Sequence, residues 1–508
     1  MFAHRRLAEG RERIYFMLFN SYIFMLLFLP LCVAGYFLLN RLGKSSLALL
    51  YLLCMSLWFY GANNPAYLVL LCSSVLVNFG FYRLSLCLAG EKRRRAAKYA
   101  AVALNLGVLF YFKYYDFFVS SVNSLFHADW TLRHVLLPLG ISFFTFQQIS
   151  FVIDAFNREV KPCSLLEYAC FITFFPQLVA GPIVTHDELL PQLQDSPRKR
   201  FDFENFSRGI YIFAIGLAKK VLIADTLSKC VYVFYAAIAG GSWELVNSTN
   251  SLIVMLSYTL EMYFDFSGYS DMAIGIGKMF NIDLPQNFNS PYKAVTILDH
   301  WKRWHITLTR FLTKYVYIPL GGSRRGTART YINIMAVYLL SGFWHGAGWT
   351  FVCWGALHGL FCVLTRWGKR FFERIPKPVN WFITFAFINL GFIIFRADSI
   401  GDAFTIIARI FDFDFGPAAY GVYSGFEVSE LLMLLTHLPL VGKFFYWPPL
   451  MMIVFLAFCM LLVLVPKNAY EKMCALRPRP LPMLGIVVLL VWCVFSFGSV
   501  SAFLYFNF

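Results

Sequence analysis

The chain has 508 residues, of which 59% are hydrophobic, 19% are aromatic and only 14% are charged. Water-soluble domains are usually ~45–50% apolar and ~25% charged, so this composition excludes an ordinary soluble fold, and the aromatic content excludes a disordered chain. The net charge of +16 comes from short basic runs between apolar stretches, which is typical of cytoplasmic loops rather than of a nucleic-acid-binding face. We therefore predict an all-α, polytopic membrane protein that contacts membrane lipids and has no nucleic-acid partner.

Apolar segments along the chain are candidate membrane crossings, because a helix needs about 20 mostly apolar residues to cross the hydrocarbon core. Several are too short to cross unaided, and we expect roughly eleven transmembrane helices. The segment 165–182 contains Pro176, Gly181 and Pro182. Interrupted helices at membrane depth must be surrounded by protein or by a cavity, so we predict that this segment is re-entrant. The candidate crossings are 22–39, 47–60, 67–82, 99–112, 136–156, 210–224, 251–266, 331–343, 350–364, 381–395, 450–465 and 483–497.

The distribution of basic residues predicts the orientation of these segments. Arg41 and Lys44 follow the first segment, and five basic residues lie within 92–98, whereas 61–65 carry no charge. Basic loops stay in the cytoplasm, so 61–65 are expected outside. Basic residues also precede the last segment, which places the C-terminus on the extracytoplasmic side.

The two ends of the chain lead to further predictions about where the native protein starts and how the chain ends. Residues 1–16 contain four arginines, which conflicts with an N-terminus outside the cell. Met17 is a candidate alternative start, and 1–16 would then be an extension outside the native product. Residues 17–508 form a single transmembrane domain, in which 483–508 supply the last helix and a terminal motif around Tyr505.

Two histidines lie in settings suited to chemistry. His345 stands between two tryptophans after an apolar run, beside glycines that let backbone or substrate approach, and His305 follows a Trp/Arg-rich run. Histidine can take a proton from a hydroxyl and later return it, so one imidazole acting as base and another polar group positioning a carbonyl suit O-acyl transfer. The alternative is that each histidine bonds a neighbouring helix in a buried network. For His358, within an apolar segment, packing is the preferred interpretation.

Two carboxylates interrupt another apolar stretch. Asp265 and Asp271 are six residues apart and do not share a helix face. Gly268 between them suggests a break in the helix. We expect the carboxylates to act structurally, by capping or by pairing with Arg303 or Arg310.

Basic residues in the same part of the chain are candidates for binding an acyl donor. They are either loop residues that keep this side in the cytoplasm or groups that attract the phosphates of a thioester such as acetyl-CoA. The set comprises Lys302, Arg303, Arg310, Arg324 and Arg325.

The cysteine and histidine patterns predict no metal site. Most of the 12 cysteines lie inside apolar runs, where cysteine behaves as a small hydrophobic residue. The sequence contains neither a CxxC pair nor a His-x-x-x-His pair, so neither a structural zinc site nor a redox site is expected.

Several stretches resemble motifs of the membrane-bound O-acyltransferase family, specifically of its bacterial branch that contains the alginate O-acetyltransferase membrane subunit. The similarity covers most of the chain, from about Met17 to Phe508. His345 matches the family's invariant histidine and His305 its second polar position, while Lys302 stands where relatives usually carry arginine, with the charge retained. The stretches are PLGISFFTFQ (138–147), FPQLVAGPI (175–183), QNFNSPYK (286–293), WKRWHITL (301–308), YIPLGG (317–322), FWHGA (343–347) and WGALHG (354–359).

This resemblance implies a ring of helices around a central tunnel, with a thioester bound on the cytoplasmic side and an acceptor on the far side. His345 would be the base for the attacking hydroxyl, and His305 would orient or polarise the donor carbonyl. Acetyl-CoA would be a donor substrate rather than a cofactor. The final acceptor would be an exported polysaccharide, either alginate or a similar exopolysaccharide. The protein would be a multi-pass O-acetyltransferase of the bacterial inner membrane.

The C-terminal sequence SVSAFLYFNF (499–508) resembles the F-x-Y-F-x-F ending of alginate-type members. By that resemblance, Tyr505 would receive the acyl group before it passes to an extracytoplasmic acetyltransferase partner. The alternative is an aromatic belt that anchors the last helix at the membrane interface.

Other functions stay open on sequence alone. Within the family they are peptidoglycan O-acetylation and teichoic-acid D-alanylation, although the terminal motif and the chain length argue against the D-alanylating branch. From other classes they are a transporter with a histidine-lined pore and a scaffold for secretion machinery.

Overall fold

The computed structural model describes residues 17–427, 447–477, 479–497 and 502–504. Within these ranges the regular structure is helical and contains no β-strand, as expected where backbone polar groups must be satisfied inside a bilayer. The longer helices are α1 (Phe24–Arg41), α2 (Ser45–Gly61), α3 (Pro65–Cys87), α4 (Glu91–Phe126), α5 (Ile141–Phe156), α6 (Leu165–Thr173), α7 (His186–Gln194), α8 (Phe203–Ala239), α9 (Ser248–Met279), α10 (Ile306–Leu312), α11 (Thr327–His345), α12 (Trp349–Trp367), α13 (Lys377–Arg396), α14 (Ile400–Phe411), α15 (Pro448–Leu464) and α16 (Pro480–Phe495).

The predicted all-α polytopic fold is confirmed. In the part of the chain that the structure describes, five helices, α1, α3, α4, α8 and α13, are long and apolar enough to cross a membrane. The shorter apolar helices are α2, α5, α15 and α16. The number of crossings, roughly eleven, stays a prediction. The supposed extension 1–16 and Tyr505 lie outside the described residues.

Two predicted crossings are the middles of longer helices. The segment 99–112 lies within α4 and 210–224 lies within α8. In both, a π-helical stretch continues the helix, at Phe110–Tyr114 and at Lys219–Ala224. Lys113 ends the apolar pattern of the first segment, and Lys219 and Lys220 interrupt that of the second, yet the helix continues in both. π-Helical stretches often mark functional sites.

Contacts between loops define two ends of the bundle. At the first, which we call the basic end, Arg94 donates a hydrogen bond to the carbonyl of Phe156, and Arg198 donates to the carbonyl of Asn281 over 2.8 Å. At the opposite end, the hydroxyl of Tyr67 donates to the carbonyl of Leu136 over 2.6 Å. The loops with an excess of basic residues therefore share one end, as the charge pattern predicted.

The segment 165–182 begins at the basic end and turns back within the bundle, and its re-entrant path through a membrane stays a prediction. Ser164 and Glu167 form a capping box at the start of α6. The chain passes through the short helix Phe175–Leu178 and returns in α7. The amide of Gln194, the last residue of α7, donates to Glu167 over 3.0 Å, which ties the start of the segment to its return.

The predicted break at Gly268 is wrong. Helix α9 runs without interruption from Ser248 to Met279, and Gly268 is instead a point of close helix packing. A Cβ atom on Gly268 would lie 2.8 Å from the carbonyl oxygen of Gly216 on α8. Small residues let two membrane helices approach backbone to backbone, so this glycine serves packing between α8 and α9 rather than a kink.

The expected partners of the two aspartates are also wrong. Asp265 pairs with Lys220 over 2.7 Å, and Asp271 pairs with Lys219 over 2.6 Å. Both lysines belong to the π-helical stretch of α8. A buried charge needs a counter-charge close by, and the close α8–α9 contact provides one for each aspartate.

Candidate functional site

Helix α11 carries His345 into the interior as its last residue, where the side chain is only 5% exposed. The following turn leads directly into α12, and the two helices cross very closely. A Cβ atom on Gly342 would clash with the carbonyl oxygen of Phe351. Glycine at this position therefore lets α11 and α12 pack tightly enough to hold the turn after His345 in place.

Lys113 of α4 fixes the end of α11. Its ammonium donates to the carbonyls of Trp344 over 2.6 Å and of His345 over 3.2 Å, and to the hydroxyl of Ser142 over 3.4 Å. The last carbonyls of a helix have no partner within the helix, and a cation there complements the helix dipole. Lys113 thus holds the backbone from which the His345 imidazole projects.

His305 lies just before α10 in the left-handed backbone region, with φ of 43°, and is fully buried. Its Nδ1 lies 3.1 Å from Oδ1 of Asn287. That oxygen also accepts hydrogen bonds from the backbone N–H and the hydroxyl of Thr307. Because Oδ1 is an acceptor in all three contacts, Nδ1 of His305 carries the proton, and Nε2 presents a lone pair.

The structure brings the two predicted histidines together. The ring centroids of His305 and His345 lie 6.4 Å apart, with Trp344 against both, 5.9 Å from His305 and 5.0 Å from His345. Trp354 and Phe395 close the other sides of His345, at 5.2 and 5.5 Å. Both imidazoles therefore belong to one site lined by aromatic rings.

Two further histidines pack nearby. His358 of α12 lies 4.4 Å from Trp354 and 5.3 Å from Trp301 between ring centroids, in keeping with the expected packing role. His300 stacks on Trp304 at 5.7 Å. Among the described residues no three His, Cys, Asp or Glu side chains converge as metal ligands would.

The candidate donor-binding residues fall into two groups. Arg310 makes a bidentate pair with Glu188, over 2.6 and 2.7 Å, and Arg303 pairs with Asp299 over 3.0 Å. Their charges are thus matched by carboxylates of the chain. The other candidates, Lys302, Arg324 and Arg325, are exposed.

A small cavity reaches the site from the opposite end of the bundle. Its volume is about 40 Å³, and its walls include Lys113, Trp344 and Val179, together with residues 137–143. Val179 belongs to the segment 165–182, which therefore extends from the basic end to the wall of this cavity. A much larger apolar cavity of about 570 Å³ lies between α8, α9, α15 and α16, and its walls include Lys219 and Tyr263.

Sequence reasoning missed Lys113 and Asn287. A lysine after a long apolar run was a detectable signal, because ionisable residues at membrane depth are costly and often functional. Asn287 had no such signal, since its role depends on the fold that brings QNFN (286–289) against His305.

Comparison with known proteins identifies the same family that the sequence motifs resemble. The profile of the MBOAT, membrane-bound O-acyltransferase family, matches residues 130–398, a range that contains both histidines. The chain is 40% identical over 426 residues to the peptidoglycan O-acetyltransferase of Helicobacter pylori, covering 78% of this chain and 80% of that protein. It is 36% identical over 448 residues to the probable alginate O-acetylase AlgI of Pseudomonas aeruginosa, covering 85% and 83%. It is 28% identical over 279 residues to the teichoic acid D-alanyltransferase of Bacillus subtilis, covering 51% and 68%.

Proposed function

Because the chain belongs to the membrane-bound O-acyltransferase family and is an O-acyltransferase, we propose that it passes an acetyl group from cytosolic acetyl-CoA across the membrane for O-acetylation of an exported polysaccharide. The observation that carries this proposal is the pair of buried imidazoles, His305 and His345, with ring centroids 6.4 Å apart. Trp344, which packs against both rings, also lines the small cavity.

In the proposed reaction, His345 takes the proton of a hydroxyl as the hydroxyl oxygen attacks the thioester carbonyl carbon. A new C–O bond forms, the C–S bond breaks, and the thiolate of coenzyme A receives the proton from the imidazolium. Because Nε2 of His305 carries no proton when Nδ1 donates to Asn287, it cannot donate to the donor carbonyl, and we assign His305 to shaping the pocket that holds the reacting groups against His345. Lys302, Arg324 and Arg325 attract the phosphates of the donor.

We place Tyr505 as the first acceptor. Its hydroxyl forms the ester, and an extracytoplasmic acetyltransferase partner then moves the acetyl group to the polysaccharide. Tyr505→Phe keeps the ring and removes the hydroxyl that would take the acetyl group, so this variant should neither release coenzyme A by transfer nor acetylate polymer. Undiminished acetylation in the variant would eliminate the relay. An aromatic anchor alone would leave acetylation unchanged in this variant.

The final acceptor is either an alginate-like exopolysaccharide or peptidoglycan. The 36% identical alginate O-acetylase supports the first, and the 40% identical peptidoglycan O-acetyltransferase supports the second. D-alanylation has less support, since that relative aligns with only 51% of the chain. We propose a multi-pass protein of the bacterial inner membrane with its basic end in the cytoplasm and its C-terminus outside.

Acetyl analysis of the secreted and cell-wall polymers from cells that lack the gene tests this function. Loss of ester-linked acetate from one polymer, restored by the wild-type gene and not by His345→Ala, identifies that polymer as the acceptor. Unchanged acetate in both polymers would refute the proposal. A transporter or a scaffold would predict that His345→Ala restores whatever the deletion removes.

A further inference from the structure

Among the last described residues of the chain, Phe503 is buried in the helix bundle, Leu504 is half-buried and Ala502 is exposed. The side chain of Phe503 is 1% exposed. Its ring meets the ring of Tyr269 edge-on at a centroid distance of 4.6 Å, and the ammonium of Lys220 lies 4.9 Å from its centroid. Apolar burial and the cation–π contact both favour this position for the ring.

One ion pair binds the main chain on both sides of Phe503. The ammonium of Lys220 donates to the carbonyl of Ala502 over 3.1 Å, and the N–H of Leu504 donates to Oδ2 of Asp265 over 2.9 Å. Lys220 and Asp265 are 2.7 Å apart, with side chains 4% and 2% exposed. The pair therefore contacts one carbonyl and one N–H two residues apart, which is a two-point recognition of the main chain.

The contact with the segment 502–504 helps to offset the cost of burying the Lys220–Asp265 ion pair. A buried ion pair recovers its desolvation cost only when further hydrogen bonds satisfy its remaining donors and acceptors. Asp225 provides one of these bonds, at 2.9 Å from the Lys220 ammonium. The segment 502–504 supplies one more bond to each member of the pair.

The contact lies next to the reaction centre. Asp265 directly precedes Phe266 on α9, and the ring of Phe266 lies 4.8 Å from His305 between centroids. Residue 505 follows Leu504 directly in the chain. The helix that holds the segment 502–504 therefore also forms a wall of the His305 pocket.

We propose that Lys220 and Asp265 form a docking site for the C-terminal segment of this chain and act as positioning residues for the acyl acceptor at Tyr505. The positioning role rests on the proposed function, whereas the docking is argued from the contacts of residues 502–504 alone. The pair recognises main-chain atoms, and Tyr269 recognises the aromatic ring at position 503.

The chain provides a matched control. The Lys219–Asp271 pair joins the same two helices and is also largely buried, with side chains 13% and 11% exposed. Among the described residues, the hydrogen bonds of this pair join only α8 and α9. Like Asp265→Ala, Asp271→Ala removes an ion pair between α8 and α9. Unlike Asp265→Ala, it removes no hydrogen bond to the segment 502–504. Phe503→Ala is a second test variant that leaves both ion pairs intact.

The experiment combines hydrogen exchange with an acetylation assay on the purified full-length protein in detergent. Exchange is followed by mass spectrometry in the C-terminal peptide that contains residues 502–508. We expect Asp265→Ala and Phe503→Ala to accelerate exchange there about tenfold or more, because a hydrogen bond to a buried charged group is lost or its ring anchor is removed. Asp271→Ala should exchange like the wild type.

Each outcome bears on one of the two proposals. Equal exchange in the wild type, Asp265→Ala and Phe503→Ala would overturn the docking site. Accelerated exchange, together with slower release of coenzyme A and loss of polymer acetylation, none of them seen in Asp271→Ala, supports docking for transfer. Accelerated exchange with normal acetylation would overturn the positioning role. If Tyr505→Phe retains acetylation while Asp265→Ala still releases the tail, the relay fails and the docking site stands.

Discussion

At the scale of single residues, the reaction centre depends on groups that hold the two imidazoles rather than only on the imidazoles. Lys113 holds the terminal carbonyls of α11, and Asn287 selects the tautomer of His305. Both act through another residue, so their loss should lower the rate of the chemical step more than it weakens donor binding.

Replacing Lys113 by methionine tests the first of these roles. We expect kcat to fall about 10- to 100-fold with little change in KM for acetyl-CoA, because the His345 imidazole loses its fixed backbone. Steady-state kinetics of acetyl-CoA consumption measure this effect. Lys92→Met, at the exposed start of the same helix, is the control and should match the wild type. Equal rates for the two variants would exclude a positioning role for Lys113.

A double-mutant cycle tests the second role. If Asn287 acts only through His305, then Asn287→Ala lowers kcat about as much as His305→Ala does, and the double variant loses no more than His305→Ala alone. Additive losses in kcat would show that the two residues act independently.

At the scale of helices, α8 and α9 form the central contact of the fold, with glycines where their backbones meet. A Cβ atom on Gly216 would lie 2.6 Å from the carbonyl oxygen of Gly268. The sequence shows these glycines but not which helix each one faces, and a glycine within an apolar run predicts a break as readily as a close contact. The continuity of α9 could therefore not be predicted from one sequence.

Substituting Gly216 by valine should separate α8 from α9. The added side chain meets backbone atoms that cannot rotate away, so we expect destabilisation of about 1–3 kcal/mol or more and a lower yield of folded protein. Thermal unfolding of the purified variant measures the loss. Gly80→Val on α3 is the control, because a Cβ atom there meets nothing within 4 Å. A Gly216→Val protein as stable as the control would contradict the packing described.

The two histidines could be predicted from the sequence as site residues, but the residues that contact them could not. His305 precedes a short helix and His345 ends a long one, and both stand out as ionisable residues in apolar sequence. The partners of Lys113 lie 231 and 232 residues away along the chain. No local pattern specifies such contacts, which result from the packing of the whole bundle.

At the scale of the whole molecule, charge alone predicted how the loops group. The loops with an excess of basic residues meet at one end because each crossing reverses the chain, and the segment 165–182 begins at that end as well. The position of residues 502–504 had no comparable signal. Their bonds to Asp265 and Lys220 join positions 239 and 282 residues apart.

Cysteine labelling tests which end faces the cytoplasm. In a variant without native cysteines, Lys92→Cys lies at the basic end and Asp129→Cys near the opposite end, and both positions are exposed. A membrane-impermeant maleimide should label Asp129→Cys in intact cells and Lys92→Cys only after lysis. The reverse pattern would invert the proposed path of the acetyl group.

The most direct test of the account follows labelled acetyl-CoA with the purified wild-type protein and with His345→Ala. If His345 is the base at the centre of the site, the wild type releases coenzyme A and the variant does so about 10²–10⁴ times more slowly, while both remain folded. Release at the wild-type rate by a folded His345→Ala protein would contradict the assignment of the reaction to this pair of histidines.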